Sequence, residues 1–153
     1  MAVLGWQFAP ARGLRRLSNW NAEELEAAAP ESLAASPADL LRVAALHREG
    51  SLWLPSLAYP LVAILRRGEH PLTAEQHDEL WQEFGLPVFQ QIREPDGRLL
   101  AYDCEAADGF HIIEPALSLK GMTPLPGPCP CGDATARVRP AATGRARVAT
   151  AIL

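Results

Sequence analysis

The amino-acid sequence predicts an α+β fold, in which a helical N-terminal half precedes a small antiparallel β-meander closed by a cysteine-rich knuckle. The helical half is predicted because helix-start signals follow one another at Asn21, Ser36 and Thr73. The meander is predicted because residues 88–114 alternate runs of β-favouring residues with tight-turn residues. The knuckle is predicted because the Pro/Gly-rich stretch 121–132 contains two of the three cysteines.

Length and composition indicate one globular domain. The chain has 153 residues, of which 48% are hydrophobic and 21% are charged, a balance typical of folded domains. We therefore interpret residues 1–153 as a single domain, with a docking arm at 1–18, a helical part at 19–70, a cysteine-bearing module at 71–139 and a basic and apolar tail at 140–153. The net charge of −4 argues against general nucleic-acid binding.

Targeting signals are not evident in the sequence. No apolar run is long enough to span a membrane, and the short apolar N-terminus lacks the basic start and the cleavage site of a secretory signal. We therefore expect a cytoplasmic protein, in which thiols are more often metal ligands or free groups than disulfides.

The docking arm contains Trp6, Phe8 and a cluster of arginines without a clear period. Its aromatic side chains suggest that it packs against something. Two interpretations remain open, because the arm could pack on the protein's own core or on a partner.

Three helices are predicted between the arm and residue 70. Asn21 is an N-cap for a short helix that ends before Pro30, and Ser36 caps a second helix that Gly50 ends. The third is the apolar stretch 55–67, which we predict to be a kinked or late-starting helix, buried in the core or under a partner. We expect a partner to cover the surface formed by residues 52–65 and the docking arm.

A fourth helix begins at Thr73, which forms a capping box with Gln76. It ends at Gly85 and places four residues on one stripe: His77, Leu80, Trp81 and Phe84. Three strands are then predicted at Val88 to Arg93, Leu99 to Cys104 and Phe110 to Glu114.

The C-terminal part contains few signals for regular structure. Between Gly121 and Gly132 there are four prolines and three glycines, which predict a loop without regular structure. The alternation from Ala146 to Leu153 permits one last strand.

The three cysteines share one stretch with a histidine, in the order Cys104, His111, Cys129, Cys131. If the strands on either side of the turn at 106–109 pair, Cys104 and His111 meet at the mouth of a hairpin, and the Cys-x-Cys knuckle closes the set from the other side. Three thiolates and one imidazole form a complete tetrahedral ligand set for zinc. The sequence therefore predicts a structural zinc site, because four protein ligands leave no open position for water.

Simpler interpretations of the same residues remain open. Cys104 could be a buried apolar residue, Cys129 and Cys131 could be an exposed thiol pair able to form a strained disulfide, and His111 could be an ordinary strand residue. The Cys-x-Cys spacing matches no common zinc finger.

Five short motifs between residues 71 and 139 share a pattern with a known family: Leu72-Thr73, Phe84-Gly85-Leu86-Pro87-Val88, Tyr102-Asp103-Cys104-Glu105, Asp108-Gly109-Phe110-His111-Ile112 and Cys129-Pro130-Cys131-Gly132. In these motifs the segment resembles the phenylacetate–CoA ligase family of adenylate-forming enzymes, over less than half of the chain. The resemblance implies that Cys104, His111, Cys129 and Cys131 bind zinc.

The chain also departs from this family. Where such ligases carry a Tyr-Gly-x-Thr-Glu-type motif for the adenylate, this chain has the sequence from Gln90 to Glu94. It has no Ser/Thr/Gly-rich phosphate loop, Lys120 is its only lysine, and no counterpart of the catalytic C-terminal domain follows Arg139. The segment therefore resembles the zinc-bearing piece of a ligase without its ATP site.

Other candidates for chemistry are weak. We expect the histidines at 47, 70 and 77 to be solvated or at the edge of the core, because no nucleophile accompanies them in the sequence. Trp20, Trp53 and Trp81 are expected to be core or interface anchors. No catalytic residue is predicted.

These observations favour a non-catalytic, zinc-binding accessory or small subunit that docks on a larger enzyme assembly, which could metabolise acyl-CoA or carboxylic acids. One alternative is a subunit of an adenylate-forming ligase that another chain completes. A third is a zinc-ribbon-like protein that binds nucleic acid through its arginine-rich tail. We expect the partner to be a larger protein or a second copy of the chain.

Overall fold

The computed structural model describes residues 1–6, 8, 11–113 and 121–141. Within these ranges there are three helices: α1 (Ala22–Ala28), α2 (Pro37–Arg48) and α3 (Ala74–Phe84). The same ranges contain nine strands: β1 (Ala2–Leu4), β2 (Arg15–Leu17), β3 (Leu33–Ala35), β4 (Leu61–Arg66), β5 (Val88–Arg93), β6 (Leu99–Tyr102), β7 (Phe110–Ile112), β8 (Met122–Leu125) and β9 (Arg137–Pro140).

The strands form one mixed sheet with the order β2-β1-β3-β4-β5-β6-β7-β9-β8. Neighbours from β2 to β5 are parallel, and neighbours from β5 to β8 are antiparallel. Each helix lies in the chain between two strands of the parallel part. The predicted α+β fold with a helical N-terminal half is therefore wrong, because four strands of a mixed sheet lie before residue 70.

The predicted helix at 55–67 is one of these strands. Strand β4 pairs with β5 in parallel from Leu61 opposite Val88 to Arg66 opposite Arg93. Pro60 disfavours a helix at this point, and a short apolar run fits a buried strand as well as a buried helix. Because both faces of β4 are covered, the run shows no alternation between apolar and polar residues.

The docking arm at 1–18 supplies two strands of the sheet rather than a separate arm. Strand β1 lies between β2 and β3, and its residues Ala2, Val3 and Leu4 are buried. Trp6 is also buried, and the guanidinium carbon of Arg66 lies 5.6 Å from the centre of its ring. The chain itself therefore buries these four residues of the arm, and the expectation that a partner covers the arm and residues 52–65 stays a prediction.

The remaining helix predictions are confirmed. The N-caps Asn21 and Ser36 accept hydrogen bonds from the backbone of their helices, and Thr73 forms the predicted capping box with Gln76. Gly85 ends α3 in a left-handed conformation. The three helices contribute to one apolar core on one face of the parallel strands, through Leu25, Leu40, Val43, Ala44 and Leu80.

The antiparallel half begins with the predicted meander of β5, β6 and β7, which is confirmed. Strand β6 ends at Tyr102 and strand β7 at Ile112, while the predicted end of that strand at Glu114 lies outside the described residues. A second apolar core, which includes Leu65, Ile92, Leu100, Phe110 and Val138, supports this half.

Strands β8 and β9 complete the sheet. The prediction that 121–132 has no regular structure is wrong for Met122–Leu125, because β9 pairs with this segment. Strand β8 is an edge strand, where a proline such as Pro124 is tolerated. The last strand predicted at Ala146 to Leu153 lies outside the described residues. Among the described helices, none is both long and apolar enough to cross a membrane.

Candidate metal centre

The four predicted ligands lie together in the antiparallel half. Cys104 follows β6, His111 is the middle residue of β7, and Cys129 and Cys131 lie between β8 and β9. Their ligand atoms all lie within 4.8 Å of one another, and the three cysteines are not in disulfides. The predicted cluster is thus brought together by the fold, and it could hold a metal ion.

Two distances within the cluster are close to those of a tetrahedral zinc site. Cys104 Sγ lies 3.7 Å from Cys129 Sγ, and Cys131 Sγ lies 3.5 Å from His111 Nε2. A tetrahedron with zinc–sulfur bonds of about 2.3 Å has sulfur–sulfur edges of about 3.8 Å. These two separations are therefore compatible with a zinc ion between the ligand atoms.

Strand pairing places the hairpin that carries Cys104 and His111 beside β9, the strand that follows Cys129 and Cys131. His111 pairs with Tyr102 of β6 on one side and with Arg137 of β9 on the other. The hairpin turn between β6 and β7 brings Cys104 back towards His111, and Ala107 N–H donates to the Cys104 carbonyl at 2.9 Å. In the knuckle, Gly132 N–H donates to the Cys129 carbonyl at 3.0 Å.

Close packing holds the hairpin against β9. Gly109, which precedes β7, has φ of 84°, and a side-chain Cβ at this position would lie 2.5 Å from the Val138 carbonyl oxygen. Only glycine therefore allows β7 and β9 to approach this closely.

His111 is held in the orientation that a metal ligand requires. It is fully buried, its ring stacks on Tyr102 with centres 5.2 Å apart, and its Nδ1 lies 2.8 Å from Thr135 Oγ1. If Nδ1–H donates to this hydroxyl, Nε2 is free to bind a metal on the side of the three sulfurs. Metal-bound histidines in proteins usually have such a partner on the second nitrogen.

Asp133 organises the segment that supplies Thr135. Tyr102 Oη–H donates to its carboxylate, and so does Thr135 N–H at 2.8 Å, while Asp133 N–H points at Cys131 Sγ at 3.4 Å. The hydrogen bond from Tyr102, supported by those from Thr135, lowers the pKa of Asp133 to about 2. The carboxylate is therefore ionised near the cluster at neutral pH.

The thiols differ in their electrostatics. Burial raises the pKa of Cys104 to about 11. In contrast, the pKa of Cys129 is lowered, chiefly by a hydrogen bond from the Cys131 backbone N–H. A metal ion that binds here at neutral pH must therefore displace the proton of Cys104.

Behind the hairpin, a chain of hydrogen bonds ties Cys104 to the start of α3. The buried Gln90 donates its N–H to Asp103 Oδ1 at 2.5 Å, and its Oε1 accepts from Leu72 N–H at 2.7 Å. Burial raises the pKa of Asp103 to about 6. This connection fixes the backbone immediately before Cys104.

The other histidines are not part of the Cys3His group. His47 Nδ1 lies 2.6 Å from Glu83 Oε1, and the His47 ring stacks on Trp53. His77 is half-buried on α3, and burial lowers its pKa. His77 lines the same cavity as Asp103 and Cys104.

Two carboxylates outside the cluster are engaged in contacts within the chain. One oxygen of the Glu94 carboxylate lies 2.5 Å from Nη2 of Arg67. The Asp39 carboxylate accepts hydrogen bonds from Trp20 Nε1 and Ser36 Oγ. Lys120 lies outside the described residues.

Sequence reasoning assigned no role in the centre to Tyr102, Asp133, Thr135 or Arg137. Tyr102 lies on the predicted strand before Cys104, and it contacts His111 through the pairing of β6 with β7. The roles of Asp133, Thr135 and Arg137 depend on strand β9, which was not predicted. Their spacing from the cysteines follows no common motif.

Comparisons with protein-family models and with curated proteins find no match to this chain. The fold and the cluster define the class of protein. Its helices and strands form an α/β fold with one mixed sheet, and a Cys3His group in the antiparallel half could hold a metal ion.

Proposed function

We propose that this protein binds one zinc ion, through Cys104, His111, Cys129 and Cys131, and that the ion has a structural role. The observation that carries the proposal is the approach of four ligand atoms of the right chemistry to within 4.8 Å of one another. Supporting it, His111 is buried and has a hydrogen-bond partner for its second nitrogen.

Zinc is favoured over other ions by the donor set. Thiolate ligands disfavour magnesium and calcium, which take oxygen ligands, and zinc accepts a tetrahedral Cys3His set without preference for another geometry. With four protein ligands, no position remains for a reacting water, so the ion would support the fold rather than a reaction.

The structural role is to join two parts of the antiparallel half. The ion would link the hairpin that carries Cys104 and His111 to the knuckle that carries Cys129 and Cys131. The knuckle itself has little apolar burial beyond Cys129, so ligation energy would contribute directly to its folding.

For the role of the whole protein, we propose a non-catalytic accessory or small subunit that docks on a larger enzyme assembly. Exposed aromatic residues support a docking role, since Trp53, Tyr59 and Trp81 are 67%, 59% and 56% exposed and tryptophan and tyrosine are enriched in protein interfaces. The resemblance to phenylacetate–CoA ligases suggests an assembly that handles acyl-CoA or carboxylic acids.

The alternative is a subunit of an adenylate-forming ligase that another chain completes. The same resemblance favours it, but the pairing of Glu94 with Arg67 argues against an ATP site at this residue. Pyrophosphate exchange with ATP that depends on a carboxylic acid, measured on the purified chain, would support the alternative. We expect no exchange.

Elemental analysis of the purified full chain tests the zinc proposal. We expect about one zinc per chain, and we expect Cys129→Ser to lose most of the zinc and to melt at a lower temperature. His77→Ala is the matched control, because it removes a half-buried histidine outside the cluster and should keep the zinc. A zinc-free wild-type chain that melts at the same temperature with and without added zinc would refute the proposal.

A further inference from the structure

Arg137 is a buried arginine beside the proposed zinc site. It is only 5% exposed, and in the sheet it pairs with His111 of β7 on one side and with Leu125 of β8 on the other. Arginine is almost never buried to this extent unless its charge and its N–H groups have partners. The partners of the Arg137 guanidinium therefore indicate why this side chain is buried.

The guanidinium connects the two segments that carry the ligands. Nη1 of Arg137 donates to the backbone carbonyl of Asp108 at 3.0 Å and to Oδ2 of the Asp108 side chain at 2.8 Å. Its Nη2 donates to the carbonyls of Pro128 at 3.2 Å and Gly127 at 3.4 Å. Asp108 lies in the turn between Cys104 and His111, and Pro128 directly precedes Cys129, so Arg137 links the same two segments that the zinc ion would link.

The third donor of the guanidinium has no such partner. Nε of Arg137 is buried and without a hydrogen-bond acceptor among the described residues. A buried N–H group in this state is unfavourable and calls for an explanation. Nη2 of Arg137 donates to the carbonyl of Pro128, the residue directly before Cys129, and a thiolate sulfur can accept a hydrogen bond.

We propose that Arg137 is a positioning residue of the zinc site, which joins the two ligand-bearing segments through Nη1 and Nη2 and donates a hydrogen bond from Nε to the Cys129 thiolate when zinc is bound. This inference rests on the proposed zinc-binding function. Zinc with three thiolates and a neutral imidazole has a net charge of about −1, and the buried guanidinium compensates this charge.

Three variants separate the link between the two ligand-bearing segments from the hydrogen bond that Nε donates to the Cys129 sulfur. Arg137→Met removes the charge and all donors, whereas Arg137→Lys keeps the charge but loses Nε and the forked geometry. Asp108→Asn weakens the link to the hairpin turn and leaves Nε in place. Arg139→Met is the matched control, because Arg139 is an exposed arginine on the same strand.

Two measurements on the full chain report the effects. Competition with a chromophoric chelator gives the zinc affinity, and the thiolate-to-cobalt charge-transfer band of the cobalt-substituted protein reports hydrogen bonds to sulfur. We expect Arg137→Met to weaken zinc binding by about 10- to 100-fold, the range found when partners of metal ligands are removed. We also expect its charge-transfer band to move to longer wavelength, because loss of an N–H···S bond raises the energy of the sulfur lone pair.

Arg137→Lys and Asp108→Asn should separate the effect on zinc affinity from the effect on the charge-transfer band. Arg137→Lys should bind zinc more tightly than Arg137→Met, and it tests the proposal if the methionine variant does not fold. Asp108→Asn should weaken zinc binding without moving the band. If the band of Arg137→Met and of Arg137→Lys stays at the wild-type position, or if their zinc affinity equals that of Arg139→Met, the inference is overturned. A wild-type chain that binds neither zinc nor cobalt would instead refute the zinc site itself.

Discussion

Thr135 Oγ1 lies 2.8 Å from Nδ1 of His111, on the side of the ring that faces away from the three sulfurs. The hydroxyl therefore gives the buried imidazole a partner for one nitrogen and directs the other at the cluster. Because an imidazole binds a metal through a deprotonated nitrogen, this contact favours the tautomer that the site needs.

Replacing Thr135 with valine tests this contact, because valine has the same shape without the hydroxyl. We expect Thr135→Val to weaken zinc binding about tenfold, measured by chelator competition, and Thr135→Ser to bind zinc nearly as tightly as the wild type. Thr123→Val, at an exposed position of β8, is the control. Equal affinities for Thr135→Val and the wild type would show that the hydroxyl does not orient His111.

Zinc affinity should increase with pH. Burial raises the pKa of Cys104 to about 11, so without a metal this thiol is protonated at neutral pH and zinc must displace its proton. Each proton that is released makes the affinity about tenfold higher per pH unit. Calorimetry in buffers with different ionisation enthalpies should therefore detect the release of at least one proton at pH 7. An affinity that stays constant between pH 6.5 and pH 8.5 would contradict binding through thiols that are protonated in the absence of the metal.

Gly109→Ala should destabilise the antiparallel half. The new Cβ would lie 2.5 Å from the Val138 carbonyl oxygen and 2.6 Å from Leu125 Cδ1, in addition to the unfavourable φ of 84°. Gly68→Ala is a matched control, since Gly68 has φ of 87° and no atom within 4 Å of the added Cβ. In denaturant unfolding we expect Gly68→Ala to lose about 1 kcal/mol and Gly109→Ala about 2–4 kcal/mol. Similar losses for both would mean that β7 and β9 are less closely packed.

The pairing of α2 with α3 should depend on pH through Glu83. Its carboxylate contacts His47 at 2.6 Å and Arg48 at 3.1 Å, and its pKa is lowered, chiefly by the hydrogen bond from His47. A lowered pKa means that this interaction stabilises the fold above the pKa of the unfolded state and that the contribution is lost as the pH falls through the folded-state pKa.

We therefore expect Glu83→Gln to reduce the free energy of unfolding by about 1 kcal/mol at pH 7 and by much less at pH 3. The control is Glu49→Gln, an exposed residue at the end of α2. A loss for Glu83→Gln that is the same at both pH values would show that the ionic contact does not contribute.

Local signals in the sequence predicted the helices that they cap. Asn21, Ser36 and the capping box at Thr73 each mark the start of a helix, because the side chain that caps a helix lies within three residues of the N–H group it satisfies. The cysteine and histidine cluster was also predictable, since few chemical roles other than metal binding fit three thiols and an imidazole on turn-rich backbone.

Contacts distant in sequence were not predictable in the same way. Strand β4 lacks alternation because both of its faces are covered, and this depends on β1, β3 and the helices rather than on its own residues. Strands β8 and β9 have four residues each and one proline each, so their own residues give little strand signal, and they are defined by their pairing with each other and by the pairing of β9 with β7. Arg137 lies opposite His111 through the pairing of β9 with β7.

Zinc K-edge X-ray absorption of the purified full chain tests the central claim most directly, because it reports which atoms bind the ion. We expect a first shell of three sulfurs at about 2.3 Å and one nitrogen at about 2.0–2.1 Å, and we expect His111→Ala to lose the nitrogen with imidazole character. A shell dominated by oxygen, or with fewer than three sulfurs, would contradict the assignment of Cys104, His111, Cys129 and Cys131 as the complete ligand set.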